Sequence, residues 1–514
     1  MVGGMGVEER AKRSMIKALV VGSALLVLAL RPGPARSETS FDMPGELRYR
    51  INWLTDFGVN ENGRELSRKY WEESRLRLSP SLKVGDNLAF YGQADFFSGR
   101  LNGDYARLRY DYANWPYDGR DDYKDAEVRQ LWMNWQSPAG ILRVGQMSSQ
   151  WGLGLLSNDG ENRLNEFGDS YMGDLYQRVL FATKPLAIFN QSDLADRLVL
   201  AVGYDVVWRD ENAVYQDGDR GSQWVFSSFY DDPDHLFTGV YVALRNQEDD
   251  DGDKVKATAY DLYFNWKSRA EDNGPQLSLG FEGIILKGWT DRVILETSPK
   301  QLDLDAIGGV VRTGLTFPDS GFRLGFEAGY ASGDANSYDQ TNYALSFDPD
   351  YNVGIVLFQE VMSTLTAYQP EPLADPMKVN VPQKGIDQLP GDGAVTNAVY
   401  QNLIIAYSPP DGPAKGLTLK EGILHAAAAE DFMDPYQTFK NGGVPTNYKG
   451  APAGKDLGWE LDTAVSYQYE IGSRLKLTLG LEHGYFMPGD AFNNRHGDPG
   501  EPIQKLQGRA TASW

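Results

Sequence analysis

The last ten residues read KLQGRATASW (505–514). Taken in steps of two, Leu506, Gly508, Ala510, Ala512 and Trp514 fall on one side. Lys505, Gln507, Arg509, Thr511 and Ser513 fall on the other. A period of two places successive side chains on opposite faces of a β-strand. One face is small and apolar and ends on an aromatic, and the other is wholly polar. A strand that meets an apolar medium with one side and water with the other predicts the wall of a membrane barrel. The last strand of a soluble sandwich carries the same alternation, so the rest of the chain has to separate the two.

The pattern recurs along the chain. In GELRYRINW (45–53), Leu47, Tyr49, Ile51 and Trp53 alternate with Arg48, Arg50 and Asn52. Leu76, Leu78 and Leu82 alternate with Arg75, Arg77 and Lys83. Leu277, Leu279 and Phe281 oppose Glu282, and Phe322, Leu324 and Phe326 oppose Arg323 and Glu327. Leu457, Trp459, Leu461 and Val465 oppose Glu460 and Asp462, and the leucines of RLKLTLGLE (474–482) oppose Lys476 and Glu482. The stretches 126–135, 396–408 and 416–429 alternate less cleanly, and their faces are left unassigned. A soluble sandwich would point its apolar faces at one core and its charges at water, which leaves little place for so many charged positions on an inner face. A water-filled barrel reverses that order, so the count of such strands favours the barrel.

Connections alternate in length as well. Short ones lie at 84–87, 137–140, 231–234, 318–321, 408–416 and 470–474. Long acidic or Pro/Gly-rich ones lie at 99–124, 149–174, 207–221, 247–254, 334–395, 430–455 and 487–501. Outer-membrane barrels have short periplasmic turns and long external loops. Counting on that rule gives an all-β, transmembrane, antiparallel barrel of about 18 strands. A count of 16 follows if 175–183 and 196–206 do not pair. The insert 334–395 is too long for a mere connection, and its apolar block Val353, Ile355, Val356, Leu357 and Phe358 needs cover. It is expected to narrow the lumen mouth, with Asp348 and Asp350 meeting lumen arginines, or else to cap the surface.

The N-terminus agrees with export. Basic residues 10–17 (RAKRSMIK) precede an uncharged apolar run, 18–30, and then the small residues Ala35 and Ser37. That order is expected of a cleaved signal peptide over 1–37, leaving 38–514 as the barrel. The apolar run is short for a spanning helix, and no other stretch approaches one. The formal charge is −22, and −26 without residues 1–37. Such a balance argues against a nucleic-acid partner. With no cysteine in the chain, disulfides, thiolate metal sites and cysteine nucleophiles are excluded.

No catalytic constellation stands out in the sequence. The four histidines, His235, His425, His483 and His496, are scattered without metal-ligand spacing. FGDS (167–170) with DPDH (232–235) mimics the Ser170, Asp232 and His235 blocks of GDS-type esterases, but the α/β context of that chemistry is missing. NQEDDDGDK (246–254) resembles a calcium loop yet has Gln247 at the first ligand position and Thr258 at the closing one. No enzyme activity, cofactor or metal is expected.

One resemblance bears on function. LRVGQMSSQWGLGLLSNDG (142–160), preceded by RQLWMNW (129–135), resembles an uncharacterised family of myxobacterial outer-membrane barrels, with FDPDYNVGIVLF (347–358) as a second block. More distantly it is similar to a strand of porins and alginate-export channels, where an arginine often stands at the place of Gln146. The resemblance implies a barrel and a channel, with no substrate attached. The expected role is a porin-like channel for passive diffusion of small hydrophilic solutes; the alternative is a non-conducting structural or surface-binding barrel. The expected pore-lining residues are Arg48, Arg50, Arg75, Arg77, Lys83, Arg312, Arg323 and Lys476, with Asp261, Glu282, Glu327, Glu460, Asp462 and Glu482. The early bases and late acids would face each other where the barrel closes. Expected partners are outer-membrane lipid and lipopolysaccharide, and the barrel-assembly machinery, for which Trp514 resembles the terminal signal.

Overall fold

The computed structural model describes residues 38–66, 69–104, 123–170, 173–189, 192–250, 252–269, 274–291, 301–336, 339–367 and 391–514. The expected signal peptide and the Pro-rich part of the insert, 368–390, lie outside the described residues. Eighteen strands form the wall. They are β1 (Thr39–Asp42 and Gly45–Leu54), β2 (Tyr70–Leu78 and Ser81–Val84), β3 (Leu88–Gly103), β4 (Lys124–Ser137), β5 (Gly140–Ser148) and β6 (Leu175–Thr183). Next come β7 (Leu198–Arg209), β8 (Arg220–Asp232), β9 (Leu236–Glu248), β10 (Lys254–Lys267), β11 (Gln276–Thr290) and β12 (Leu302–Phe317). The last are β13 (Phe322–Ala331), β14 (Ala398–Tyr407), β15 (Leu417–Ala428), β16 (Asp456–Ile471), β17 (Leu475–Pro488) and β18 (Ile503–Ser513). The interruptions in β1 and β2 fall at Pro44 and Pro80, which have no N–H to give the ladder. Their carbonyls still accept, from Ser79 N and Gly92 N.

Each strand pairs antiparallel with its sequence neighbour, and β18 returns to β1 in the register Glu46–Ser513 through Leu54–Lys505. Gly45 and Trp514 exchange both backbone hydrogen bonds at 3.0 Å and close the ring. The segments 175–183 and 198–209 do pair, which fixes the count at 18 rather than 16. One pairing departs from the antiparallel expectation: Thr341–Asn342, inside the insert, runs parallel to Asp303–Leu304 of β12. Two outer connections, 55–69 and 291–301, and two inner ones, 184–197 and 268–275, add to those expected from sequence. The 184–197 connection holds a short helix, Asp193–Arg197, capped by Ser192. No helix among the described residues is long and apolar enough to cross a membrane.

The faces are inverted relative to a soluble protein. Outward-facing Leu47, Trp53, Leu279, Ile307, Val399 and Leu481 are 38–51% exposed. Inward-facing Arg50, Glu282 and Asp462 are at most 3% exposed. Apolar side chains on the outside of a closed sheet, with charges within, are the arrangement of a barrel standing in lipid.

The core joins wall and filling: Leu153 and Leu155 from one connection, and Val353, Ile355, Leu357 and Phe358 from the insert, form one buried cluster with inward wall residues such as Trp71, Tyr241 and Ile284. The wall opposite the insert answers in kind. In β14 the inward residues Ala398, Tyr400, Ile404 and Ala406 are buried and largely apolar, and so are Leu424, Ala426 and Ala428 of β15. Burial alternates strictly along β14 although hydropathy does not, because its inward side packs on protein instead of water.

Candidate channel lumen

Two inward segments fill the middle of the barrel, and each hangs from a wall glutamate. In the first, 149–174, the backbone N–H groups of Leu153 and Leu155 donate to Glu282 of β11, the latter at 3.2 Å. Trp151 Nε1 donates to Asp261 of β10 at 3.0 Å. In the insert, the N–H groups of Ile355, Val356 and Leu357 all donate to Glu460 of β16 at 2.7 Å. A carboxylate taking several N–H groups satisfies backbone that would otherwise be buried unpaired. Glycine permits the approach. A Cβ on Gly152, whose φ is +57°, would lie 2.3 Å from Glu282 Oε2, and one on Gly354 would lie 2.7 Å from Glu460 Oε1. The two sequence blocks WGLG (151–154) and NVGIV (352–356) are thus the two docking points.

Ion pairs fasten the segments on the other sides. Asp169 of the first receives Arg48 at 3.1 Å, Arg50 at 2.7 Å and Arg509 at 2.9 Å. Glu161 meets Arg77 at 2.8 Å, and Arg77 also grips Asp95 through two hydrogen bonds of 2.7 Å. Glu166 receives both terminal nitrogens of Arg323, at 2.8 and 2.6 Å. From the insert, Glu360 pairs with buried Lys505 at 2.6 Å. Tyr351 donates to Glu327, which is also paired with Arg312.

Burial by itself would raise the Asp169 carboxyl, but Arg509, Arg48, Arg50 and Arg75 outweigh it and hold it below the ordinary carboxylate value. Glu161 and Glu166 behave alike: burial opposes their charge, and the facing cations, led by Arg77 and Arg323, win. Burial pushes Asp174 and Asp348, at the outer rim, well up, and neighbouring carboxylates add to it.

The strand register places all fourteen sequence candidates on the inward face. Arg48, Arg50, Arg75, Arg77, Asp261, Glu282, Glu327, Glu460 and Asp462 are buried under the two segments. Arg312, Arg323 and Glu482 are half-buried, while Lys83 and Lys476 stand exposed near the short-turn end. The expected face-off between early bases and late acids does not occur as two bare surfaces. Loop acids neutralise the bases, and backbone N–H groups occupy Glu460. Of the two insert acids, Asp350 accepts from Gly173 N at 2.6 Å and Asp348 from Asp350 N at 2.8 Å.

Gln146 shares the outward face with its ladder partner Leu131, so that position holds no lumen filter. Ser170 and His235 stay apart: Ser170 bonds Asp350 O inside the barrel, and His235 sits in a short turn against Lys267 O. The 246–254 turn closes on itself through Asp249 N to Asp253 O at 2.8 Å.

Several further residues face inward beside the expected fourteen. Arg129, 1% exposed, occupies a bulge opposite Gln93–Ala94, and the extra residue is what spoils alternation over 126–135. Arg178 and Asp205 form a buried pair at 2.6 Å on β6 and β7. Arg509 and Glu73 lie on faces whose alternation was already legible. Asp169 and Glu166 come from irregular segments with no period to reveal them, and Glu360 comes from the short helix Leu357–Met362 inside the insert.

No protein-family profile and no curated protein matches the chain. Among solved structures it is similar to Pseudomonas aeruginosa OccK11 (OpdR), at 13% identity and TM-score 0.48, over 92% of this chain and 95% of that one. It is similar to Acinetobacter baumannii OccAB1, at 10% identity and TM-score 0.49, over 92% and 97%. It is also similar to P. aeruginosa OccK1 (OpdK), at 14% identity and TM-score 0.45, over 92% and 99%.

Proposed function

We propose that the protein is a porin-like channel of a bacterial outer membrane, passing small hydrophilic solutes by passive diffusion. The observation that carries this reading is the closed 18-strand wall, apolar outside and charged inside, with two loop segments fastened across its interior. Solutes would pass between those segments and the charged wall, selected by width and by the lumen charges, without covalent chemistry. The apolar girdle would contact outer-membrane lipid and lipopolysaccharide. Export would use a cleaved leader over 1–37, and insertion would use the barrel-assembly machinery, with Trp514 as its terminal signal.

A second reading has its own support. Val356, Leu357 and Leu365 of the insert are fully buried, as a plug's core would be. On that reading the barrel is structural and non-conducting. Refolded full-length protein in a planar bilayer decides between them. Discrete conductance steps support the channel, and a bilayer that stays silent while the protein is inserted supports the plug.

A further inference from the structure

Each docking glutamate has a buried aspartate beside it. Glu282 of β11 stands next to Asp261 of β10, and Glu460 stands next to Asp462, two residues on in β16. All four side chains belong to residues at most 2% exposed. The glutamates are satisfied by backbone amides of the two inward segments. The aspartates are not: Asp261 Oδ2 and both carboxylate oxygens of Asp462 meet no donor among the described residues. Yet within each pair the two carboxyl groups lie in hydrogen-bonding reach of one another. A Cβ on Gly354 would come within 3.0 Å of Asp462 Oδ2 as well as of Glu460, so the insert backbone closes over both acids.

The surroundings supply no counter-charge. Across the ladder Asp261 faces Tyr241 and Ile284, and Glu282 faces Tyr263 and Val310. Glu460 faces Leu424 and Phe486, and Asp462 faces Gly422 and Gly484. Charged groups on the next inward rungs are engaged elsewhere: Arg312 with Glu327, Lys420 with Glu166, and Glu482 with Arg509 and Gly168 N. Glu360 of the insert is taken by Lys505. Two ionised carboxylates in contact and away from water repel each other, and both cannot persist. A carboxylate only accepts, whereas a protonated carboxyl also donates. One proton per pair turns the contact into an O–H···O bond and supplies the missing donor.

We propose that Asp261 and Asp462 each carry a proton that they donate to Glu282 and Glu460, and that these two protons latch the inward segments to the wall. The protonated aspartic acid keeps each pair at a single negative charge, which the amides of 153 and 155, or of 355–357, then share. Loss of the proton leaves two charges at the docking point and drives the segment off. The latch therefore holds on the acid side and weakens as pH rises, the opposite sense to the ion pairs of Asp169. It works in the same way whether or not the barrel conducts.

Infrared spectra of the full chain, refolded in detergent and treated with EDTA, test it. Ordinary carboxyls are ionised at about pH 7, so the C=O stretch of protonated carboxyls reports buried acids there. Asp261→Asn and Asp462→Asn should each remove part of that band, and the double variant should remove more. An asparagine amide donates as the acid does, so both segments should stay docked in the double variant and resist limited proteolysis equally from about pH 6 to about pH 10. Over the same range the wild type should lose the band and become about tenfold more sensitive within 149–174 and 345–367, with the protease rate normalised on an unfolded substrate. If the double variant does not fold, the wild type still answers, because band loss and cleavage should rise together. A band unchanged by the substitutions, a wild type whose band or protease resistance does not respond to pH, or a double variant as pH-sensitive as the wild type would each overturn the proposal.

Discussion

Asp169 takes three arginines from two strands, β1 and β18, that meet where the barrel closes. Removing its charge leaves Arg48 and Arg50 buried without it, so Asp169→Asn should cost about 3–5 kcal/mol. The loss should appear as a lower unfolding midpoint and earlier proteolysis within 149–174; unchanged values would mean that the latch contributes nothing. The pH response follows from the depressed carboxyl. Its contribution is present above the unfolded value, about 3.9, and fades only as pH falls below that toward the folded one. Protease resistance of 149–174 should therefore hold from neutral pH down to about 4 and fail in stronger acid. Loss between pH 7 and 5 would contradict the assignment. At this scale the sequence was half legible. Strand charges such as Arg48, Glu282 and Glu460 fall on a period of two, which fixes their face. The loop acids Asp169 and Glu166 sit in irregular backbone, where no period tells which way a side chain points, and Glu360 sits in a helix of only six residues, Leu357–Met362, too short to show one.

The elements were more legible than the residues, and they failed for identifiable reasons. β1, β11 and β18 alternate in hydropathy because lipid lies on one side and polar groups on the other. β14 does not, because its inward face is filled by protein: Tyr400 packs against Phe358 and Tyr351 of the insert, and Ile404 is buried. Loss of alternation in an otherwise regular strand thus marks where a barrel is filled. Two predictions belong here. Gly45 lies under the Trp514 ring, where a Cβ would come within 2.3 Å of the indole. Deleting Trp514, or introducing Gly45→Leu, should lower the amount of protein in the outer membrane, read by membrane fractionation; wild-type amounts of both would remove the ring from assembly. Glu460→Gln replaces one acceptor oxygen facing the amides of 355–357 by a donor. Undocking of the insert by roughly 3 kcal/mol is expected, measured as hydrogen exchange of those amides. Exchange unaltered from wild type would show that packing alone holds the segment.

For the whole molecule, the wall and the filling are separable. The wall closes through strand pairs alone, and the filling is a small core of soluble type, attached by Glu282, Glu460, Lys505 and a ring of arginines. This separation makes the account of the protein as a narrowed channel testable. The most direct measurement is single-channel conductance in planar bilayers of the full-length protein beside an in-frame deletion of 345–385, with both checked for insertion. Small discrete steps are predicted for the full chain, and clearly larger steps for the deletion, whose wall remains closed. Silence from both inserted proteins, or equal conductance from the two, would contradict it.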